Sequence, residues 1–122
     1  MTREKIVITG LGVLAPNGNN VDAFWAACTA GKSGIGHITY FDSSEQRVSI
    51  AGELLDFQPE MVLDPKEIRK LDPFSIYALV ATDEAVKMAN IDPEKLDMDR
   101  VGVTIGTGVG GIQTLEEQHS VI

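Results

Sequence analysis

Two short β-branched apolar runs, KIVIT at residues 5–9 and VGVTIGT at residues 101–107, each break into glycine, and the most strongly patterned stretch of the chain lies between them. A run without polar alternation suits a strand covered on both faces, which requires helices above and below it. Between the runs, residues 73–90 set Phe74, Ala78, Ala81, Ala85 and Met88 at helical spacing, while Ile76, Leu79, Val80 and Val86 widen the apolar surface. That helix is expected to be buried on more than one side. Strands alternating with helices imply an α/β layer architecture.

Local signals place the remaining elements. Asn20 can cap a helix running through Val21, Phe24, Trp25 and Cys28, with Gly31 where such helices commonly end. Residues 47–53 (RVSIAGE) alternate well enough for a partly exposed strand. Asp64, Pro65 and Glu67 supply a cap, a first-turn proline and a capping-box acid for a short helix to Leu71, and Asp72-Pro73 repeats the start signal at once. Asp92-Pro93 opens another turn, and a helix is expected to begin near Ile112. No Gly or Pro stop signal follows it before Ile122, so the chain is expected to be a segment of something longer.

Length and charge narrow the function classes. The chain has 122 residues, 43% of them hydrophobic and 23% charged, enough for one modest core and no more than one domain. Eighteen acidic residues against ten basic give a formal charge of −8, which disfavours nucleic acid or an anionic membrane as the main partner. An acidic partner would have to meet a local basic patch. One cysteine excludes an intrachain disulfide framework, and the apolar run after MTREK is too short for a signal peptide or a membrane span. A cytoplasmic setting is expected.

Three stretches carry candidate chemistry. The first is IGTGVGGIQ, where Gly106, Gly108 and Gly111 spell G-x-G-x-x-G after an apolar run, the pattern that cradles a dinucleotide pyrophosphate. A dinucleotide fold carries it in its first strand-to-helix turn, with an acid about 20 residues onward, whereas here the loop follows the second apolar run. The competing reading is a tight turn that lets another element or an apolar ligand approach, with Val109 projecting into the space left open. The second candidate is Cys28 with His37 and His119. Cys28 lies near the carbonyl end of its helix, where the dipole disfavours a thiolate, and its neighbours Trp25, Ala26 and Ala27 suit a packed small side chain. His37 falls in a Gly/Ser loop and His119 in an acidic helical stretch, where exposed histidines are ordinary. The third is DPKEIRKL, which sets Lys66, Arg69 and Lys70 at i, i+3 and i+4 on one helix face. Those charges read either as a solvated helix end or as a docking patch for a phosphorylated or acidic partner.

Taken in order, KIVITGLGVLAPNGNN, FWAACTAGKSGI, HITYFDSS, KEIRKLDPFSIYAL and RVGVTIGTGVGGI closely resemble the N-terminal part of the β-ketoacyl-acyl-carrier-protein synthases, particularly the elongating type II enzymes. The likeness spans essentially the whole chain. It implies the thiolase-like fold, layered α-β-α-β-α, of which residues 1–122 would be the opening part of the first half. It implies that the glycine loop binds no nucleotide and borders the acyl pocket, with Gly108, Val109 and Gly110 lining it. It implies that Lys66, Arg69 and Lys70 dock the acidic acyl carrier protein, that acyl and malonyl thioesters are the substrates, that the intact enzyme is a homodimer, and that no cofactor or metal is needed. The family chemistry is acyl transfer to a cysteine, decarboxylation of malonyl carrier protein assisted by two histidines, and carbon–carbon bond formation. That cysteine lies downstream of the glycine loop, so Cys28 does not inherit its role and this chain alone is expected to be inactive. The alternative is a non-catalytic ketosynthase-like module that binds carrier protein or a partner subunit.

Overall fold

The computed structural model describes residues 5–121. They divide into two compact units: Gly12–Gln58, and the N-terminal stretch through Leu11 together with the chain from Pro59 onward. Helices with a small sheet make the chain α/β, as expected.

In the Gly12–Gln58 unit, α1 spans Val21–Thr29, and Asn20 caps it by accepting the Ala23 amide at 2.8 Å. The inward line of α1 is Val21, Phe24 and Ala27, three residues apart, and only Ala27 is fully buried. Trp25 and Cys28 lie one position round the helix and are exposed. Cys28 is therefore not the packed side chain that its apolar neighbours suggested, because a step of one helical residue turns it about 100° from Ala27. Gly31 ends the helix as expected: its φ is +65°, and the next amide, that of Lys32, donates to the Ala27 carbonyl at 2.8 Å.

Two three-residue strands follow, β1 at Ile35–His37 and β2 at Ile50–Gly52, paired antiparallel with Ile35 opposite Gly52 and His37 opposite Ile50. His37 thus closes a strand, where a loop was expected, and the strand expected over residues 47–53 shrinks to its middle. Beyond it Glu53 is buried, at 8% exposure. Its carboxylate accepts the Thr39 amide at 2.9 Å, the Thr39 hydroxyl at 2.7 Å and the Tyr40 amide at 3.3 Å. Three donors on one carboxylate satisfy a charge that would otherwise be costly to bury.

The other unit is mostly helical. A 3₁₀ turn at Pro59–Met61 leads to α2 at Pro65–Ile68 and α3 at Pro73–Met88. Asn90, at φ +51°, stops α3, and the Ile91 amide closes back on the Val86 carbonyl at 3.3 Å. Ile76 is the one fully buried residue of α3, and Leu79, Val86 and Met88 are exposed, so the helix is not buried on several sides as expected. Residues 5–9 and 101–107 carry no ladder to any described residue, and Ile6 is 98% and Val103 76% exposed. They were expected as buried strands; β-branched composition supplies the propensity, but a strand exists only where a second backbone takes up its amides and carbonyls.

Chain close to the first run does dock on α3. A side chain at Gly10 would meet the Ala89 amide at 2.9 Å and the Ala89 Cβ at 3.0 Å, and the Leu11 amide donates to Met88 Sδ at 3.3 Å. After two further 3₁₀ turns, at Pro93–Lys95 and Met98–Arg100, the glycine loop leads into α4 at Ile112–His119. No helix among the described residues is long and apolar enough to cross a membrane.

Candidate functional site

The basic segment is built from its cap upward. Asp64 precedes Pro65, whose ring removes the first amide, and the Asp64 carboxylate accepts the next one, that of Lys66, at 2.7 Å. Glu67 was expected to act as the capping-box acid, but the cap bond comes from Asp64 alone. The helix ends at Ile68, not Leu71, and tightens into i→i+3 bonds from Lys70 to Glu67 (2.9 Å) and from Leu71 to Ile68 (3.3 Å). In such a turn residues three apart eclipse, so Lys66 and Arg69 stand in line and Lys70 lies about a third of a turn away. All three are exposed, and among the described residues none has a carboxylate within ion-pair distance. Lys87 and Lys95, by contrast, are paired at 2.6 Å with Asp83 and Asp92. The segment therefore presents three uncompensated cations to solvent on a chain of net charge −8.

The glycine loop is organised at its far end. Thr107 Oγ1 accepts the Gly110 amide at 3.1 Å, and Gly110 takes φ +75°, a conformation that a side chain would strain. Gly106 and Gly108 face open space, and Val109 is 72% exposed. Gly111 is different: a Cβ there would lie 2.6 Å from Asp72 Cγ. The same Asp72 carboxylate accepts a hydrogen bond from the Thr114 hydroxyl in the first turn of α4.

The structure thus brings the basic segment and the glycine loop into one unit, with Asp72 between them in the chain and against the loop in space. It does not gather the cysteine and the histidines into a nucleophilic set. Cys28 and His37 belong to the Gly12–Gln58 unit and His119 to the other, and Cys28 Sγ accepts a hydrogen bond from the Asn17 side-chain amide, at 3.6 Å. Among the described residues no group of three or more His, Cys, Asp or Glu is placed to hold a metal ion. Two open hollows, of about 390 and 290 Å³, lie in the Gly12–Gln58 unit and are lined by neither segment.

Sequence reasoning overlooked two residues. Asp72 read only as a repeated helix-start signal, and the one hint of more was that Asp-Pro recurs three times, which made a cap look sufficient. Glu53 read as the polar end of a strand. Its pKa is held below the usual carboxylate range, first by the Thr39 hydroxyl and then by the Thr39 amide, with burial opposing and the Tyr40 amide adding to the lowering.

Comparison with known proteins follows the same stretches. The family described as beta-ketoacyl synthase, N-terminal domain, matches residues 3–121. The chain is 38% identical over 122 residues to a 3-oxoacyl-(acyl-carrier-protein) synthase 2 of Synechocystis, covering all of this chain and 29% of the relative. A Staphylococcus aureus (strain COL) protein of the same name is 45% identical over 116 residues, covering 95% of this chain and 28% of the relative. One from Coxiella burnetii is 42% identical over 122 residues, covering all of this chain and 30% of the relative. The chain thus spans somewhat under a third of the curated relatives it matches. Among solved structures, the ishigamide ketosynthase/chain length factor superposes with a TM-score of 0.75 at 30% identity, covering 94% of this chain and 29% of that one. A type II polyketide ketosynthase, bound to a hexaketide and in complex with its acyl carrier protein, gives 0.72 at 28% identity, covering 97% of this chain and 30% of that one. With nearly every residue matched, the chain belongs to the beta-ketoacyl synthase N-terminal-domain family.

Proposed function

We propose that this chain is the opening part of a decarboxylating condensing enzyme, one that elongates an acyl chain with malonyl-acyl carrier protein in fatty acid or polyketide synthesis. In this reading residues 1–122 belong to a layered thiolase-like domain that acts in the cytoplasm as a homodimer. Their share of the work is scaffold, acyl-pocket wall at Gly108, Val109 and Gly110, and carrier docking at Lys66, Arg69 and Lys70. The observation that carries the proposal is the uncompensated basic segment on an otherwise acidic chain. Unpaired, solvated cations attract an acidic partner without first breaking an ion pair, which favours fast association and defines orientation. The relatives' names and the carrier-bound neighbour support the choice of partner.

Titration with purified holo-acyl carrier protein tests the reading. Charge reversal by Lys66→Glu together with Lys70→Glu is expected to weaken binding about ten-fold or more. Unchanged affinity would remove the docking assignment.

A further inference from the structure

Among the described residues, burial does not position the glycine loop. Residues 106–109 are exposed, every residue of α4 from Ile112 to His119 is exposed, and α4 contributes nothing to a core. The half-buried residues of the region are Gly110 and Gly111, at the point where the chain meets Asp72.

Asp72 is itself unusual. It is the N-cap residue of α3, and its main-chain carbonyl accepts the Ser75 and Ile76 amides at 3.0 and 3.2 Å, so its backbone is fixed by that helix. Its side chain makes no cap bond in α3. Asp64 and Asp92, which also precede a proline at a helix start, both spend their carboxylates on the local amide two residues on, at 2.7 and 3.1 Å. At Asp72 the carboxylate leaves its own helix and takes the Thr114 hydroxyl, with Gly111 close against it. A carboxylate at the first turn of α4 also meets the positive end of that helix, which favours the same placement.

We infer that Asp72 is a positioning residue, pinning the N-terminus of α4, and with it the glycine loop and Val109, to the turn that carries Lys66, Arg69 and Lys70. Asp72 follows Lys70 by two residues, so one short stretch of chain holds both the cations and the loop. The inference rests on the proposed roles of those two segments. A partner seated on the cations grips the same stretch that sets the loop, and linkage makes the effect reciprocal.

The test uses the whole chain and nuclear magnetic resonance of Gly110, Leu115 and Ser120, whose amides are hydrogen-bonded. Without any partner, Thr114→Val is expected to speed hydrogen exchange at these amides roughly two- to ten-fold, the loss of one hydrogen bond, while Thr114→Ser keeps the wild-type rates. Equal rates in all three proteins would overturn the inference. On adding holo-acyl carrier protein, the Gly110 resonance is expected to shift in wild type and in Thr114→Ser. In Thr114→Val it stays in place while the carrier still binds. A Gly110 shift that persists in Thr114→Val would overturn the link between cations and loop. If wild type binds no carrier, the docking assignment fails by itself, and the partner-free comparison decides the role of Asp72.

Discussion

Asp72 and Thr114, forty-two residues apart, are joined carboxylate to hydroxyl, and the bond replaces the side-chain cap that Asp72 would otherwise give its own helix. Gly111 belongs to the same arrangement, since a Cβ there would lie 2.6 Å from Asp72 Cγ and 2.8 Å from its Oδ1. Gly111→Ala is therefore expected to cost about 1–3 kcal/mol, the usual range for forcing extra volume into an occupied space. Gly108→Ala faces open space and should be neutral or slightly stabilising. Urea denaturation of the two variants beside wild type measures the contrast.

The cap of α2 lies outside the charges it supports. Asp64→Ala removes the acceptor of the Lys66 amide and is expected to cost about 1 kcal/mol of local helix stability. Carrier affinity should fall with it, although Lys66, Arg69 and Lys70 are untouched. Asp64→Asn, which keeps an acceptor at the same place, should retain most of the affinity in calorimetric titration.

Salt separates an electrostatic docking surface from an apolar one. Exposed charges are screened beyond about 8 Å at physiological ionic strength and more strongly above it. Carrier binding is thus expected to weaken steadily as sodium chloride is raised, and the salt slope should flatten in the Lys66→Glu, Lys70→Glu protein.

Glu53 should make stability depend on acid. Its pKa is lowered in the folded chain, so its contribution is fully present above the ordinary carboxylate value of 4.5 and is lost as pH falls through the lower folded value. Thermal melts from neutrality down through the carboxylate range are expected to show a steeper loss for wild type than for Thr39→Val or Glu53→Gln. Both variants should start less stable at neutral pH, because each breaks the cluster that satisfies the carboxylate.

The exposed apolar runs should drive self-association. Ile6 and Val103 stand far into solvent on backbone that has no strand partner among the described residues, which offers a ready edge for another chain. Sedimentation velocity is expected to show concentration-dependent association that Ile6→Lys with Val103→Lys reduces.

Helix starts and stops were legible because they are settled within a few residues. Asn20, Asp64-Pro65, Asp72-Pro73 and Gly31 each act on neighbouring amides and carbonyls, and the structure has helix boundaries where these residues stand. Helical spacing identified α3, and the exposed cations on and just after α2 followed from composition and order alone. Family membership was readable from the quoted stretches, and the family match over residues 3–121 bears it out.

What the tertiary structure decided was every relation between distant residues. It left residues 5–9 and 101–107 without a strand partner among the described residues, because a strand depends on a partner that its own composition cannot supply. It turned Cys28 outward and Ala27 inward, a difference of one helical step. It sent the Asp72 side chain to Thr114, whereas Asp64 and Asp92, each likewise followed by a proline, kept theirs at home. The local sequence offered all three carboxylates the same cap, and only at Asp72 did a second helix bring a competing donor within reach.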